Sequence, residues 1–402
     1  MSNESHRLRE RLDRTDVEWG QSRLRTLHRH PELSGLEERT ALLVAEELQR
    51  SGADEVLTGV GSLEGSRAHG VLARFGPREG AGVLLRCELD ALPIEERTEL
   101  AYRSEIPGCA HLCGHDGHMA ILLTVARVLG RSGGSERVAP RSGPVWLLFQ
   151  PAEETGAGAR AVCADARMAG LDLRRAYALH NLPGYPLGAV VARAGTMCCA
   201  STGAEITLRG RAAHAAQPET GRSPARALAE LIAWLEDRDD PPGLDFATVV
   251  GAELGERAFG TAPDTARLFV TMRSAADAGL SARLEALREH TAELASRDGL
   301  ETSIALHDGF KATVSDEQEI ARVRSVARAL PGTSWVEPTE AFRWSEDFGE
   351  LLASRRGAFI GLGAGEKTPA LHDPEYVFPS ELIERGARLW LALLDQLAEE
   401  AE

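Results

Sequence analysis

The sequence has no apolar run long enough to cross a membrane and no excess of basic residues. No stretch approaches the ~18 consecutive apolar residues that a transmembrane helix needs. Lys and Arg number 45 against 61 Asp and Glu, so the formal net charge is −16. Nonspecific nucleic-acid binding and anionic membrane surfaces both require a basic surface. We therefore expect neither nucleic acid nor a membrane as a partner.

Cysteine is scarce, and the N-terminal stretch MSNESHRLRERLDRTD has no apolar core of the kind that a secretory signal contains. Only six residues of 402 are cysteine. These two features favour a cytoplasmic location, where a reducing environment keeps thiols free. The cysteines are then candidate metal ligands or core residues rather than disulfide partners.

The composition is that of an ordinary globular protein. Hydrophobic residues make up 43% of the chain and charged residues 26%, which excludes disorder throughout. At roughly 100–200 residues per domain, a chain of this length predicts two or three domains.

Several short apolar runs are each followed by polar residues, and helical patterns at 119–129 and 382–397 separate them. The runs lie at 83–85, 145–149, 177–179 and 359–362. This alternation predicts an α/β fold with a largely parallel sheet. Ligands bind at the carboxyl ends of the strands in such sheets. The side chains expected at that edge are Glu88, Asp90, Glu153, Glu154 and His180.

The middle of the chain has a different pattern. Residues 204–209 and 266–273 alternate between apolar and polar, and helical patterns follow them at 224–236 and 280–296. We interpret 192–305 as a small α+β domain inserted into a larger one. The larger, catalytic domain would then comprise 1–191 and 306–402.

The densest chemical signal is the segment GCAHLCGHDGH at 108–118. Two Cys and three His fall within ten residues, and thiolate and imidazole are ligands for zinc and related metals. Flanking glycines let the backbone bend so that these side chains converge. The alternative is a polar loop with incidental histidines, but the clustering favours a metal site.

The paired carboxylates Glu153 and Glu154 follow an apolar run, and Pro151 ends the predicted strand. In a metal site, one carboxylate can bind the metal while the other takes a proton from water. Taken alone, the pair is equally consistent with the start of a solvated loop. His180 and His372, each at the end of a predicted strand, are individually consistent with structural roles.

In combination, these motifs resemble the dinuclear-metal aminoacylase/carboxypeptidase superfamily. The resemblance is greatest to the branch of hippurate hydrolases and auxin-conjugate amidohydrolases, and it extends from about residue 20 to 395. The principal motifs are CGHDGH at 113–118, PAEE at 151–154, HNLP at 180–183 and LH at 371–372. Further matches are HRHPELS at 28–34, LDALP at 89–93, GRAAH at 210–214 and SEDF at 345–348.

The resemblance implies two divalent metal ions (Zn, Mn, Ni or Co) in a phosphorylase/hydrolase-like fold with an inserted lid and dimerisation domain. Cys113 would bridge the ions, Glu153 would be the general base, and Asp90 would orient a ligand. The implied metal ligands are Cys113, His115, Glu154, His180 and His372.

The resemblance also implies a homodimer in which His214 reaches the active site of the partner subunit. Arg273 would bind a substrate carboxylate, together with an Asn 13 residues before it. Here that position is Gly260 (273 − 260 = 13). A second departure is Glu88, where relatives commonly have Asp.

We therefore expect a metal-dependent amidohydrolase that removes the acyl group from an N-acyl amino acid or a related small N-acyl amine. A dipeptidase or carboxypeptidase of the same superfamily is the first alternative. A non-catalytic binding homologue is the second, and Gly260 and Glu88 are the departures that motivate it.

Overall fold

A computed structural model describes residues 8–63, 65–66, 69–131, 143–237 and 243–399. The described residues form helices α1 (Leu8–Arg11), α2 (Arg14–Arg29), α3 (Glu38–Arg50), α4 (His115–Gly130), α5 (Gly158–Ala164), α6 (Ala166–Ala169), α7 (Ala225–Glu236), α8 (Asp277–Asp298), α9 (Glu317–Ala329), α10 (Gly349–Leu352) and α11 (Leu382–Glu399). They form strands β1 (Glu55–Val60), β2 (Gly70–Phe75), β3 (Gly82–Glu88), β4 (Val145–Gln150), β5 (Leu173–Pro183), β6 (Val190–Val191), β7 (Gly195–Cys198), β8 (Ala200–Arg209), β9 (Ala213–His214), β10 (Phe246–Leu254), β11 (Thr261–Ala262), β12 (Thr265–Ser274), β13 (Glu301–Phe310), β14 (Thr313–Ser315), β15 (Trp335–Val336) and β16 (Arg356–Gly365).

The described residues divide into two compact units. The first unit comprises those of Met1–Met197, Val314–Glu340 and Asp347–Glu402, and the second comprises Cys198–Thr313 and Ala341–Glu346. The sequence prediction placed its inserted domain at 192–305. The second unit thus begins and ends later than that range and also includes a short return segment at 341–346, which the apolar pattern did not indicate.

The first unit is built on an eight-stranded sheet in the order β1-β2-β4-β3-β5-β16-β6-β15. The strands β4, β3, β5 and β16 at its centre run parallel to one another. Every residue of β3 and β4 is buried, as expected of strands covered on both faces. The predicted α/β fold with a largely parallel sheet is confirmed.

Helix α4 packs against β3, α2 and α11. Residues 14–50 contain two separate helices, α2 and α3. Asp13 starts α2 with a capping box, and the helix ends at Arg29, just before Pro31. Proline has no backbone N–H and disfavours helical geometry in the residue before it, so α3 begins separately at Glu38.

The second unit is an α+β structure. Its four-stranded antiparallel sheet has the order β10-β12-β8-β13. Alternate residues of β8 and β12 are buried, and α7 and α8 pack against this sheet. The alternation of apolar and polar residues at 204–209 and 266–273 therefore corresponds to a sheet with one face covered by helices.

Among the residues described, no helix combines the length and apolar character needed to span a bilayer.

Candidate metal centre

Cys113 lies at the centre of two overlapping groups of potential metal ligands in the first unit. The ligand atoms of Cys113, His115 and His180 all lie within 4.8 Å of one another. The same is true of Cys113, Glu154 and His372. The structure thus brings together all five side chains that the sequence motifs proposed as ligands, and Cys113 is common to both groups.

The local backbone explains this convergence. Gly114 precedes the first residue of α4 and has φ of 91°, a conformation that favours glycine. A Cβ atom there would lie 2.3 Å from Nδ2 of Asn181. Cys113 and His115 flank this turn, whereas His180 lies near the end of β5. His372 follows β16 in a loop and itself adopts a positive φ of 68°.

His115 is oriented with one ring nitrogen towards the other potential ligands. Its Nδ1 lies 2.9 Å from the backbone oxygen of Asp90, a contact that makes Nδ1 the protonated nitrogen. Its Nε2 is buried, has no hydrogen-bond partner among the described residues and lies 3.8 Å from Oε1 of Glu154. A metal-binding histidine characteristically donates its other N–H to a carbonyl or carboxylate. The residues therefore fit a metal ion.

Asp90 is fully buried and lies two residues after the end of β3. Its Oδ2 accepts the hydroxyl of Ser34 at 2.7 Å and the backbone N–H of Glu154 at 3.0 Å. Its Oδ1 lies 3.4 Å from Nδ1 of His115. Asp90 therefore contacts two of the potential ligands without belonging to either group.

His180 and His372 are held in the neutral form that metal binding requires. Burial and the neighbouring His118 keep the pKa of His180 well below its usual value. Its Nδ1 contacts the backbone oxygen of Asn181 at 2.8 Å, and its Nε2 lies 3.4 Å from Sγ of Cys113. Burial and the charge of His115 also lower the pKa of His372, whose side chain is 49% exposed.

In the metal-free protein, the pKa values of Cys113 and His115 are raised rather than lowered. Burial and the charges of Glu154 and Glu153 raise the pKa of the Cys113 thiol well above its usual value. Burial opposes protonation of His115, but its hydrogen bond to Asp90 and the charge of Glu88 raise its pKa to about 10. Both groups therefore carry a proton at neutral pH until a cation replaces it.

Glu153 lies beside this centre and is almost completely buried. Its Oε1 accepts the backbone N–H of Asp347 at 3.5 Å, and its Oε2 lies 4.0 Å from Nε2 of His115. The preceding residue, Ala152, has a positive φ of 50°, and its N–H is bound by Oε1 of Glu37 at 2.8 Å. Burial and the charge of Asp90 raise the pKa of Glu37 to about 7.

His118 also lies within ligand distance of His115 and Glu88, but both of its nitrogens already have hydrogen-bond partners. Nδ1 is 2.7 Å from Oε2 of Glu88, and Nε2 accepts the backbone N–H of Asn181 at 3.0 Å. His118 is therefore a supporting residue rather than a ligand.

Sequence reasoning missed Arg86, a fully buried cation in the apolar strand β3. It donates to Glu88, to Oδ1 of Asp347 at 2.6 Å and to Oε1 of Gln150 at 2.9 Å. Burial opposes ionisation of Glu88, but the charge of Arg86 and the hydrogen bond from His118 hold its pKa well below the usual value. The available signal was a charged residue directly after the apolar run at 83–85 and before Cys87.

The other two proposed site residues lie in the second unit. His214 is exposed on β9, which pairs with β11, and its Nδ1 accepts the backbone N–H of Ala216 at 3.0 Å. Nη1 of Arg273 donates to the backbone oxygen of Arg343 at 2.8 Å and to Oγ of Ser345 at 3.0 Å.

An α/β sheet that brings thiol, imidazole and carboxylate side chains within metal-binding distance of one another, beside a buried glutamate, suits a metal-dependent hydrolase. Comparison with known proteins agrees, because the model of Peptidase family M20/M25/M40 matches residues 84–396. The chain belongs to this family and is a metal-dependent amidohydrolase. The predicted superfamily is thereby confirmed.

Two curated relatives and one solved structure illustrate the similarity. N-acetyl-L-cysteine deacetylase of Bacillus subtilis is 31% identical over 84% of this chain and 79% of its own. Hippurate hydrolase of Campylobacter jejuni is 29% identical over 91% and 93%. A dinuclear metal-binding M20 peptidase of Bacillus subtilis has a TM-score of 0.81 at 25% identity, covering 96% of this chain and 99% of that one.

Proposed function

We propose that this protein hydrolyses the amide bond of small N-acyl amino acids or related N-acyl amines. The observation that carries the proposal is the shared position of Cys113 in two ligand groups, with Glu153 beside them. The proposed ligands of the two divalent ions are Cys113, His115, Glu154, His180 and His372. Zn, Mn, Ni and Co all suit this donor set.

In the proposed reaction, Glu153 accepts a proton from the attacking water and later donates it to the leaving amine. The backbone N–H of Asp347 holds one oxygen of Glu153, leaving the other directed to the ligand side of the site. Asp90 keeps His115 and Glu154 in position. When bound, the two ions lower the pKa of water and polarise the scissile carbonyl.

The substrate class rests on the relatives, two of which are named for the deacylation of N-acyl amino acids. Within the second unit, Arg273 supplies the positive charge that a substrate carboxylate would require. Gly260 has no side chain to assist it, and a Cβ there would meet no atom within 4 Å. We therefore propose that Arg273 binds the carboxylate without an amide partner at position 260.

We also propose a homodimer formed through the second unit, in which His214 from one protomer completes the active site of the other. Strand β13 lies at an edge of the four-stranded sheet, and most of its residues are exposed. An exposed strand edge offers unpaired backbone groups to a second chain. The exposure of His214 is compatible with such a role.

A cytoplasmic location and the absence of nucleic-acid partners belong to the same proposal. All six cysteines are free thiols, which suits a reducing compartment. The net charge of −16 opposes binding to a polyanion.

The decisive experiment compares the wild type with Glu153→Gln on a panel of N-acetyl and N-benzoyl amino acids and dipeptides. We expect Glu153→Gln to retain two metal ions but lose about 100- to 10,000-fold in kcat, since Gln cannot accept the proton. Release of free amine measures turnover, and elemental analysis measures metal. Glu350→Gln, at a carboxylate that pairs with Arg160, is the control.

Wild-type turnover by Glu153→Gln would refute the mechanism. Preferential cleavage of dipeptides would instead identify a peptidase, and a wild-type protein that takes up no metal would indicate a binding homologue.

The role of His214 is tested by mixing two inactive variants, Glu153→Gln and His214→Ala. If His214 acts on the partner, each mixed dimer has one complete site, and random exchange restores about a quarter of wild-type activity. No recovery despite subunit exchange would refute the shared site, and light scattering reports the oligomeric state.

A further inference from the structure

Glu88 is a buried carboxylate that joins two hydrogen-bonded branches beneath the metal centre. Its side chain is completely inaccessible to solvent. One oxygen accepts from Arg86, and the other lies 2.7 Å from Nδ1 of His118. Neither contact involves a proposed metal ligand directly, so the influence of Glu88 on the site must act through its neighbours.

The first branch runs from His118 to the ligand segments. Because ionised Glu88 can only accept, Nδ1 of His118 must carry the proton and Nε2 must be the acceptor. Nε2 then receives the backbone N–H of Asn181, the residue after His180, at 3.0 Å. The side-chain amide of Asn181 donates, through Nδ2, to the backbone oxygen of Cys113 at 2.7 Å. The hydroxyl of Tyr376 bonds Oδ1 of Asn181 and thereby fixes which way this amide points.

The second branch runs from Arg86 towards the general base. Arg86 donates to Oδ1 of Asp347 at 2.6 Å, and Gln150 donates to both oxygens of the same carboxylate. The backbone N–H of Asp347 is the group that contacts Glu153. One carboxylate, Glu88, thus connects the segments that carry Cys113, His180 and Glu153.

We propose that Glu88 is a positioning residue that fixes the tautomer of His118 and, through Asn181, the placement of Cys113 and His180 for metal binding. The proposal rests on the ligand set given under the proposed function. Hydrogen-bonded partners of metal ligands typically alter metal affinity 10- to 100-fold when they are removed. An aspartate at position 88 is one methylene shorter and cannot keep both the Arg86 and the His118 contacts of the present geometry.

The test is a titration of the metal-free protein with Co²⁺, read from the thiolate-to-cobalt charge-transfer band of Cys113 and from the visible d–d bands. We expect Glu88→Gln to bind Co²⁺ about 10- to 100-fold more weakly and to change the d–d spectrum, since the ligand geometry is altered. Glu88→Asp should lie between Glu88→Gln and the wild type. Tyr376→Phe removes a single hydroxyl and should weaken binding in the same direction, but by less than Glu88→Gln, because it acts on the same branch one residue further from the ligands.

Glu319→Gln is the matched control. Glu319 is also a fully buried carboxylate of the first unit, bound by the hydroxyl of Tyr177 at 2.6 Å and by Nε of Arg175 at 3.0 Å. It contacts none of the proposed ligands. We expect this variant to lose thermal stability while its Co²⁺ affinity and spectrum remain those of the wild type.

Co²⁺ affinity within twofold of wild type in folded Glu88→Gln would overturn the proposal, as would an equal loss in Glu319→Gln. If Glu88→Gln does not fold, the variants Glu88→Asp and Tyr376→Phe test the proposal instead. Wild-type Co²⁺ affinity in both of them would overturn the proposal. A wild-type protein whose Co²⁺ complex shows no thiolate band would overturn the ligand set itself, which separates the two failures.

Discussion

Oδ2 of Asp90 accepts the backbone N–H of Glu154 at 3.0 Å, so a residue two positions after the end of strand β3 holds the residue three positions beyond Pro151. The same carboxylate lies 3.4 Å from Nδ1 of His115, while its backbone oxygen lies 2.9 Å from that nitrogen. One aspartate therefore orients a proposed ligand of each group.

Replacing Asp90 by Asn should weaken metal binding about 10- to 100-fold, because a neutral amide cannot match the carboxylate as acceptor for both neighbours. Competition with a chelator of known affinity measures the change. Asp16→Asn is the control, since Asp16 is equally buried but pairs with Arg127 and Arg131. We expect Asp16→Asn to lower stability and leave metal affinity intact, and equal losses in both variants would refute the role of Asp90.

Metal binding at pH 8 should release about two protons, one from Cys113 and one from His115. The pKa of Cys113 lies well above its usual value and that of His115 is raised to about 10, whereas the lowered pKa values of His180 and His372 leave them neutral. Calorimetry in buffers of different ionisation enthalpy counts the protons.

In the same measurement, Cys113→Ser should retain at most one metal ion and release about one proton, because a serine hydroxyl does not ionise to replace the thiolate. Cys163→Ser, at a half-buried thiol on α5, should behave as the wild type. Release of two protons by Cys113→Ser would contradict the assignment of Cys113.

His28 should stabilise the folded protein at neutral pH, and this contribution should be lost in alkaline solution. Burial opposes its protonation, but hydrogen bonds with Asp116 and Glu96 raise its pKa to about 10. A folded-state pKa above the unfolded value of about 6.5 gives stability that is complete below pH 6.5 and lost as pH rises towards 10.

The free energy of unfolding from urea titrations should therefore differ between the wild type and His28→Gln by a few kcal/mol at pH 6, and by less at pH 9. His30→Gln, at an exposed neighbour, should show no such trend. A difference that stays constant over this range would show that His28 is not protonated in the folded protein.

In the metal-free protein, the neutral form of Glu37 should stabilise the folded state, whereas for His28 it is the charged form that does so. Burial and Asp90 raise the pKa of this carboxyl to about 7, so the folded state binds the proton more tightly than the unfolded state. Its contribution to stability is present at low pH and falls as pH rises from about 4.5 to 7.

Glu37→Gln keeps an acceptor for the N–H of Ala152 but cannot ionise. Its stability relative to the wild type should increase between pH 4.5 and 8, by up to about 3 kcal/mol. Thermal unfolding in the presence of chelator measures this difference. A relative stability independent of pH would mean that Glu37 ionises normally in the folded chain.

Much of the fold was readable from the sequence because its signals are local. The apolar runs at 145–149 and 359–362 lie in buried strands. Asp13 begins a helix through its side chain, whereas Pro31 and Gly114 lie at ends of helices through their backbone chemistry. The segment 341–346 could not be assigned in this way, because it joins the second unit through contacts with residues distant in sequence.

The sequence by itself determined the chemistry available to this protein: a thiol, imidazoles and carboxylates in motifs that resemble a metal-dependent hydrolase family. The resemblance already implied His115 rather than His118 as a ligand, but only the tertiary structure supplied the physical reason. Nε2 of His115 has no hydrogen-bond partner in the described chain, whereas both nitrogens of His118 are bound. The tertiary structure also placed Arg86 beside Glu88 and Asp347, the latter 261 residues away along the chain. A residue's type follows from the sequence, whereas its hydrogen-bond partners and burial, which decide its role, follow from the packing of distant segments.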